Sequence, residues 1–205
     1  MKKAISALQI PKGADRILLH ACCAPCSGAI LEWMLEQNLQ PTLFFCNPNI
    51  FPLQEYNQRK NELIQHAQRM HVPFADGDYD HQAWLEQIQG LEDEPERGQR
   101  CMQCFTIRLQ RTAQYAHRNG FPVFTTTLAS SRWKNLAQIT EAGQQAAAFY
   151  PDVHFWAQNW RRGGLSERRS FLLKTYDFYN QTYCGCEFSL RARQAYERAK
   201  AHPDE

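Results

Sequence analysis

Seven of the eight cysteines stand in three tight groups, Cys22-Cys23-x-x-Cys26, Cys101-x-x-Cys104 and Cys184-Gly185-Cys186. Two thiolates offered by one loop or one helical turn chelate well, because the first bond fixes most of the geometry for the second. Such spacing belongs to metal or redox chemistry rather than to a disulfide scaffold. Three clips on one chain imply one composite site. Soft sulfur donors favour iron-sulfur or zinc over oxygen-ligated cations.

Each group has its own range of chemistry. Cys23-Ala24-Pro25-Cys26 taken alone is a thioredoxin-type redox spacing, although Cys22 and the two later groups exceed what such a site needs. Cys101-x-x-Cys104 is an ordinary metal clip, compatible with structural zinc completed by the first group. Cys184-Gly185-Cys186 closes too short a loop for a relaxed disulfide. It suits a strained, readily reduced one, or a second metal beside the first. Cys46, alone at a strand end, reads as a core cysteine.

The elements that must carry these groups alternate between strand and helix. Ile17-Leu18-Leu19-His20 reads as a strand running into the first cysteine group, and Ala29 to Leu35 as the helix after it. Pro41 to Cys46 reads as a second strand ending at Asn47-Pro48-Asn49, which completes a βαβ unit with its working loops at the strand C-termini. Tyr56, Leu63, Ile64, Ala67 and Met70 keep helical spacing. A loop from about 76 to 100 follows, with a short helix around Trp84 and Ile88. From Cys101, the pattern Cys104, Phe105, Leu109, Thr112, Ala113, Ala116 places both cysteines on the buried face of a helix's first turn, where the helix dipole favours thiolate. Gly120 ends that helix. Pro122 to Leu128 reads as a strand, Leu136 to Phe149 as a helix, Val153 to Trp156 as a strand and Ser166 to Tyr179 as a helix, and Cys184-Gly185-Cys186 precedes a last, basic helix. The expected fold is α/β, a single Rossmann-like domain over residues 1–205 with a parallel sheet of about five strands flanked by helices.

Composition sets the outer bounds. With 205 residues and 43% hydrophobic content the chain can build a substantial core. The start, Met1-Lys2-Lys3-Ala4, carries charge and no apolar signal region, and no stretch is long enough to span a bilayer, so no membrane partner and a cytoplasmic location are expected. The net charge of +2 is too small to prove nucleic-acid binding. Its distribution is uneven. Glu92-Asp93-Glu94-Pro95-Glu96 is acidic, whereas the last third carries Arg161, Arg162, Arg168, Arg169, Lys174, Arg191, Arg193, Arg198 and Lys200. A glycine-rich phosphate loop is absent and the first strand ends in His20-Ala21-Cys22, which disfavours nucleotide hydrolysis.

The motifs together resemble the QueH family of cobalamin-independent epoxyqueuosine reductases. The likeness rests on Leu18-Leu19-His20-Ala21-Cys22-Cys23-Ala24-Pro25-Cys26, on Asn47-Pro48-Asn49-Ile50 with Glu55-Tyr56 and Arg59, and on Cys101-x-x-Cys104 with Arg108-Leu109 and Thr112-Ala113. It continues through Phe124-Thr125-Thr126-Thr127-Leu128 with Ser131 and Lys134, and ends in Tyr183-Cys184-Gly185-Cys186-x-Phe188-Ser189. Two stretches depart from the family pattern. Asn159-Trp160 stands where an acidic residue is expected before an aromatic, and Ser131-Arg132-Trp133-Lys134 lacks a proline.

The resemblance implies a 4Fe-4S enzyme that reduces epoxyqueuosine to queuosine at the wobble position of tRNA, with an unidentified electron donor. By that likeness Cys22, Cys23, Cys101 and Cys104 hold the cluster, Cys26 serves either metal, and Cys184 with Cys186 form a redox-active pair or bind a neighbouring iron. Tyr56, Arg59, Lys134, Trp160 and Arg161 are the expected substrate contacts, with Tyr183, Tyr56 and Lys134 as proton donors. The modified nucleotide must leave the anticodon stack, and Trp133, Trp156 and Trp160 beside Arg132, Arg161 and Arg162 offer aromatic and cationic surface for it. Trp160 and Arg161 are expected to be exposed, whereas Trp156, in an apolar strand, is also a candidate for the core. Two other classes stay open. One is a thioredoxin-like thiol-disulfide oxidoreductase, the other a zinc-stabilised RNA-binding protein.

Overall fold

The computed structural model describes residues 8–11 and 13–201. The start read above, Met1 to Ala4, lies outside them. Five parallel strands form one sheet in the order β3-β2-β1-β4-β5. They are β1 (Arg16–His20), β2 (Gln40–Phe45), β3 (Phe74–Asp76), β4 (Val123–Thr126) and β5 (His154–Phe155). Seven α-helices lie among the described residues: α1 (Ala24–Glu36), α2 (Leu53–Arg69), α3 (His81–Gln87), α4 (Gln99–Arg118), α5 (Leu136–Ala147), α6 (Leu165–Thr175) and α7 (Glu187–Ala201). None is long and apolar enough to cross a membrane.

The central strand explains the layers. Ile17, Leu18, Leu19 and His20 are all buried, the continuous pattern of a parallel strand covered on both faces. Burying each such leucine or isoleucine contributes about 1.5–3 kcal/mol. Right-handed crossovers put α1 and α2 on one face and α4 and α5 on the other. α1 packs against α2 and α6, while α4 packs against α5 and beneath β1 and β4. The strand order reverses between β1 and β4, and the crevice beyond their C-terminal ends is where such sheets place their sites.

Several element ends differ from the sequence expectation. β4 stops at Thr126 and the chain turns into a 3-10 segment, Thr127–Ser130, because the Thr126 hydroxyl accepts the Leu128 amide. α6 ends at Thr175 rather than near Tyr179, since Asp177 takes a positive φ of 49° that a helix does not allow. Phe149, expected as the end of the helix that is α5, lies beyond its last residue, Ala147, and is exposed. β3 was not visible as a separate strand. Its three residues are too few to show a period.

Candidate active site

The first cysteine group sits at the junction of β1 and α1. Cys23 is the N-cap of α1 in extended conformation, and Pro25 fits the first turn, where its missing N–H costs nothing. Ser27 Oγ donates to the Cys23 carbonyl at 2.8 Å. This local geometry turns three side chains inward: the sulfurs of Cys22, Cys23 and Cys26 all lie within 4.8 Å of one another, with Cys22 and Cys23 at 3.7 Å. The Cys22 amide donates to Thr127 Oγ1 at 3.3 Å, which ties the group to the end of β4.

These three thiols share charge unequally. Hydrogen bonds from Cys23 and Cys26 pull the Cys22 thiol well below its ordinary value, helped by Lys134 and Arg108. Burial, and then donation to Cys22, pushes Cys23 up. Its bond to Cys22 holds Cys26 at about 11. Cys22 is therefore the thiol that gives up its proton most readily, with two thiols donating to it. A metal ion that displaced the thiol protons would meet three convergent soft donors, and no carboxylate or histidine belongs to that group.

The other two groups meet at the start of α4. Its first turn carries Cys101 and its second, because the helix starts at Gln99, carries Cys104, with Glu94 Oε2 accepting the Gln99 amide at 2.8 Å. Burial raises both thiols, Cys104 to about 12, and the charges of Cys184 and Cys186 raise them further. The thiolate preference expected from the helix dipole is outweighed by lost solvation. The Arg97 amide donates to Cys101 Sγ at 3.2 Å. Ser189 organises the last group: its hydroxyl donates to the Cys186 carbonyl at 2.8 Å and accepts the Cys186 thiol at 3.4 Å and the Gly185 amide at 3.3 Å. All eight cysteines are free thiols, and Cys184 is the exposed one.

Three cations join these sulfurs. Arg59, on α2, is buried, yet Cys23 and Glu55 hold its charge firmly. Its Nη1 and Nη2 donate to the Cys184 and Tyr183 carbonyls at 3.2 and 3.3 Å. Arg108, buried one helical turn beyond Cys104, donates from Nη2 to Asn47 Oδ1 at 2.5 Å, and its charge acts on Cys22, Cys104 and Cys46. Burial works against the Lys134 ammonium, but the charges of Cys184, Cys22 and Cys26 raise its pKa overall. Beneath them His20 joins three strand ends. Its Nε2 donates to the Cys46 carbonyl at 3.0 Å, so Nδ1 accepts from Thr126 Oγ1 at 2.7 Å. Burial, with Arg108 nearby, lowers its pKa to about 3 and keeps the ring neutral.

The expected substrate residues separate into different places. Lys134 faces the thiols, and Arg59 supports the Cys184 loop. Tyr56 is buried in the core against Phe45 and Tyr79, and the charges acting on its hydroxyl are those of Asp76, Cys46 and Asp78. The exposure expected of Trp160 is overturned. It is 1% exposed, packs against Trp33 and Trp156, and donates its indole N–H to Thr125 Oγ1 at 3.3 Å. The apolar surface of three indoles outweighed the basic flank that suggested solvent. Arg161 is half-buried rather than exposed and donates from Nη2 to the Lys134 carbonyl at 2.8 Å. Trp156 is in the core, and Cys46 is buried as expected. Of the expected ligands, Cys22 and Cys23 stand with Cys26, Cys101 and Cys104 stand with the Cys184 loop, and Arg108 acts on both Cys22 and Cys104. Sequence reasoning missed Arg108 and Arg97 as site residues. Arg108 left a signal, a charge four residues after Cys104 on the apolar face of α4.

A doubly wound parallel sheet with thiols and buried cations at its switch point defines an α/β protein with a thiol-rich site whose Cys22, Cys23 and Cys26 could bind a metal. Residues 17–192 match the family model described as epoxyqueuosine reductase QueH. Proteins named epoxyqueuosine reductase QueH from Histophilus somni and Acinetobacter baylyi are 50% and 48% identical to the chain. These matches cover 94% and 93% of the chain and 79% and 88% of the relatives. One of the same name from Thermotoga maritima is 34% identical over 87% of the chain and 92% of its own length. The chain belongs to the QueH family and is an oxidoreductase.

Proposed function

We propose that this chain, acting as one α/β unit, reduces epoxyqueuosine to queuosine at the wobble position of tRNA, using a 4Fe-4S cluster and the Cys184/Cys186 pair. The observation that carries the reading is that buried cations bridge the thiol groups: Arg108 acts on both Cys22 and Cys104, and Lys134 feels Cys22, Cys26 and Cys184. Cys22 and Cys23 with Cys101 and Cys104 are the residues that would hold the cluster. Cys26 is a further thiolate for it or for a second iron, and Cys184 with Cys186 either cycle between dithiol and disulfide or hold that iron. When bound, the cluster supplies electrons one at a time and a Lewis-acidic iron.

The reaction takes two electrons and two protons, breaks both carbon-oxygen bonds of the epoxide, forms the alkene and releases the oxygen as water. Charge grows on that oxygen as the ring opens. In this reading Lys134, whose ammonium the charges of Cys184, Cys22 and Cys26 favour, meets it and gives a proton. Tyr183, whose phenol burial pushes up to about 12 and whose hydroxyl donates to the Phe51 carbonyl, is the second donor once it leaves that carbonyl. Arg59 keeps the Cys184 loop in position through two backbone carbonyls.

A two-cysteine exchange site of thioredoxin type is the weaker reading, because Cys22 shares the same sulfur group as Cys23 and Cys26 and carries its charge. The deciding experiment is turnover of epoxyqueuosine-containing tRNA by C101S and C26S variants. Loss with C101S supports the reductase site, whereas full activity of C101S with loss in C26S supports thiol exchange.

A further inference from the structure

Of the five tryptophans, Trp33, Trp84, Trp156 and Trp160 are buried and Trp133 is 70% exposed. Its place is unusual for an unburied indole. It lies between the end of β4 and the start of α5, and the next residue, Lys134, turns inward to the sulfurs of Cys22, Cys26 and Cys184. One residue therefore faces solvent at the rim while its neighbour faces the thiols.

The loop that carries Trp133 is pinned at each end. The Trp133 amide donates to Ser131 Oγ at 3.3 Å, and Arg97 Nε donates to the Trp133 carbonyl at 2.9 Å. Arg161 Nη2 donates to the Lys134 carbonyl at 2.8 Å, and Asn135 caps α5 by accepting the Ala137 amide at 3.0 Å. Arg97, at a positive φ of 70°, also donates its amide to Cys101 Sγ, and its carbonyl accepts from Gln138 Nε2 at 2.8 Å. The indole's base is thus tied to a thiol of the site through one residue. An aromatic held this way loses little freedom when something stacks on it.

The surroundings select the partner. Arg132 lies over the Trp133 ring at 5.6 Å, and Arg97 and Arg132 are exposed. Among the described residues neither they nor Arg161 pairs with a carboxylate, and Arg97 and Arg161 repel one another. Farther along the chain, Arg168, Arg191 and Arg193 pair with Glu32, Glu187 and Glu197. An exposed indole among unpaired guanidiniums suits a nucleobase with its flanking phosphates.

Resting on the tRNA reading above, we infer that Trp133 is the stacking platform for an unpaired base of the RNA loop at the mouth of the thiol site, with Arg97 and Arg132 receiving the adjoining phosphates. Trp133 is a positioning residue. It holds the loop so that the reacting nucleotide can enter past Lys134.

The test is the affinity of anaerobically purified protein for a labelled RNA hairpin with a G at the wobble position of its loop, set against a fully paired RNA duplex. Stacking of one base predicts about 5- to 150-fold weaker binding for W133A, with W133F close to wild type. The salt slope should be retained in W133A and reduced by R132A. Metal content and circular dichroism should be unchanged, as the side chain is not in the core. W133A binding as tightly as wild type would overturn the platform alone. Wild-type protein that prefers the duplex, or binds neither RNA, would overturn the tRNA reading and the platform with it.

Discussion

Arg59 holds Cys184 by its backbone: the guanidinium donates to the Cys184 carbonyl at 3.2 Å and to the Tyr183 carbonyl at 3.3 Å while its Nε pairs with Glu55 at 2.7 Å. A buried cation on α2 therefore fixes a loop 125 residues away in sequence. Replacing it by methionine keeps the volume and leaves Glu55 without its cation, with only the Tyr179 hydroxyl still donating to it. R59M should lose about 3–5 kcal/mol of stability, the range for breaking a buried pair. Iodoacetamide labelling of Cys184 in metal-free protein should become faster, and unchanged labelling would mean that Arg59 does not hold the loop.

Gly185 allows that hold. Its φ of 133° disfavours any side chain, and an added Cβ would come within 3.2 Å of Arg59 Nη1 and 3.3 Å of Ile50. G185A should destabilise the protein by more than the roughly 1 kcal/mol that an unstrained glycine exchange involves, and lower turnover at least tenfold. Urea unfolding and the tRNA assay check the two parts, and G185A behaving as wild type in both would contradict the tight fit.

The two cysteines flanking Gly185 are expected to serve chemistry rather than binding. C184S/C186S should abolish turnover of epoxyqueuosine-containing tRNA while leaving tRNA affinity within about twofold, a change under 0.5 kcal/mol. Turnover persisting in the double variant would remove the pair from the reaction.

His66, on α2, gives a pH signature away from the thiols. Its ring is buried against Tyr176 and Phe178 with neither nitrogen hydrogen-bonded, and burial, then Arg69, lowers its pKa from 6.5 to about 4, with Glu32 opposing. Between those values the unfolded chain binds more protons than the folded one, so stability is full above about pH 6.5 and falls as pH drops toward 4. From pH 7 to 5 this single group removes about 2 kcal/mol. H66F should show a smaller decline than wild type by about that amount in urea unfolding at the two pH values. Equal declines would show that His66 is not held neutral.

How far the sequence disclosed this arrangement depends on the range of each signal. Every strand but β3, the βαβ start and α1 to α5 follow from local patterning, and the apolar run at Ile17 to Leu19 is legible because a central parallel strand needs no alternation. The cysteine groups were equally legible, since chelating pairs are close in sequence. Trp160 was misread because its environment is tertiary: nothing local says that Trp33 and Trp156 will receive it. Arg108 was passed over as a site residue because a helical arginine usually faces water, and only the Asn47 contact from another loop shows what it does here. How the Cys22-Cys23-Cys26 group meets the Cys101-Cys104-Cys184-Cys186 set likewise depends on how α4 docks beside β1.

The central claim is that these thiols hold an iron-sulfur cluster. The direct measurement is iron and acid-labile sulfide per chain, with the visible absorption spectrum, on protein purified without oxygen. About four irons and four sulfides, or somewhat more iron than sulfide, are predicted. Zinc without sulfide, in protein never exposed to oxygen, would contradict it.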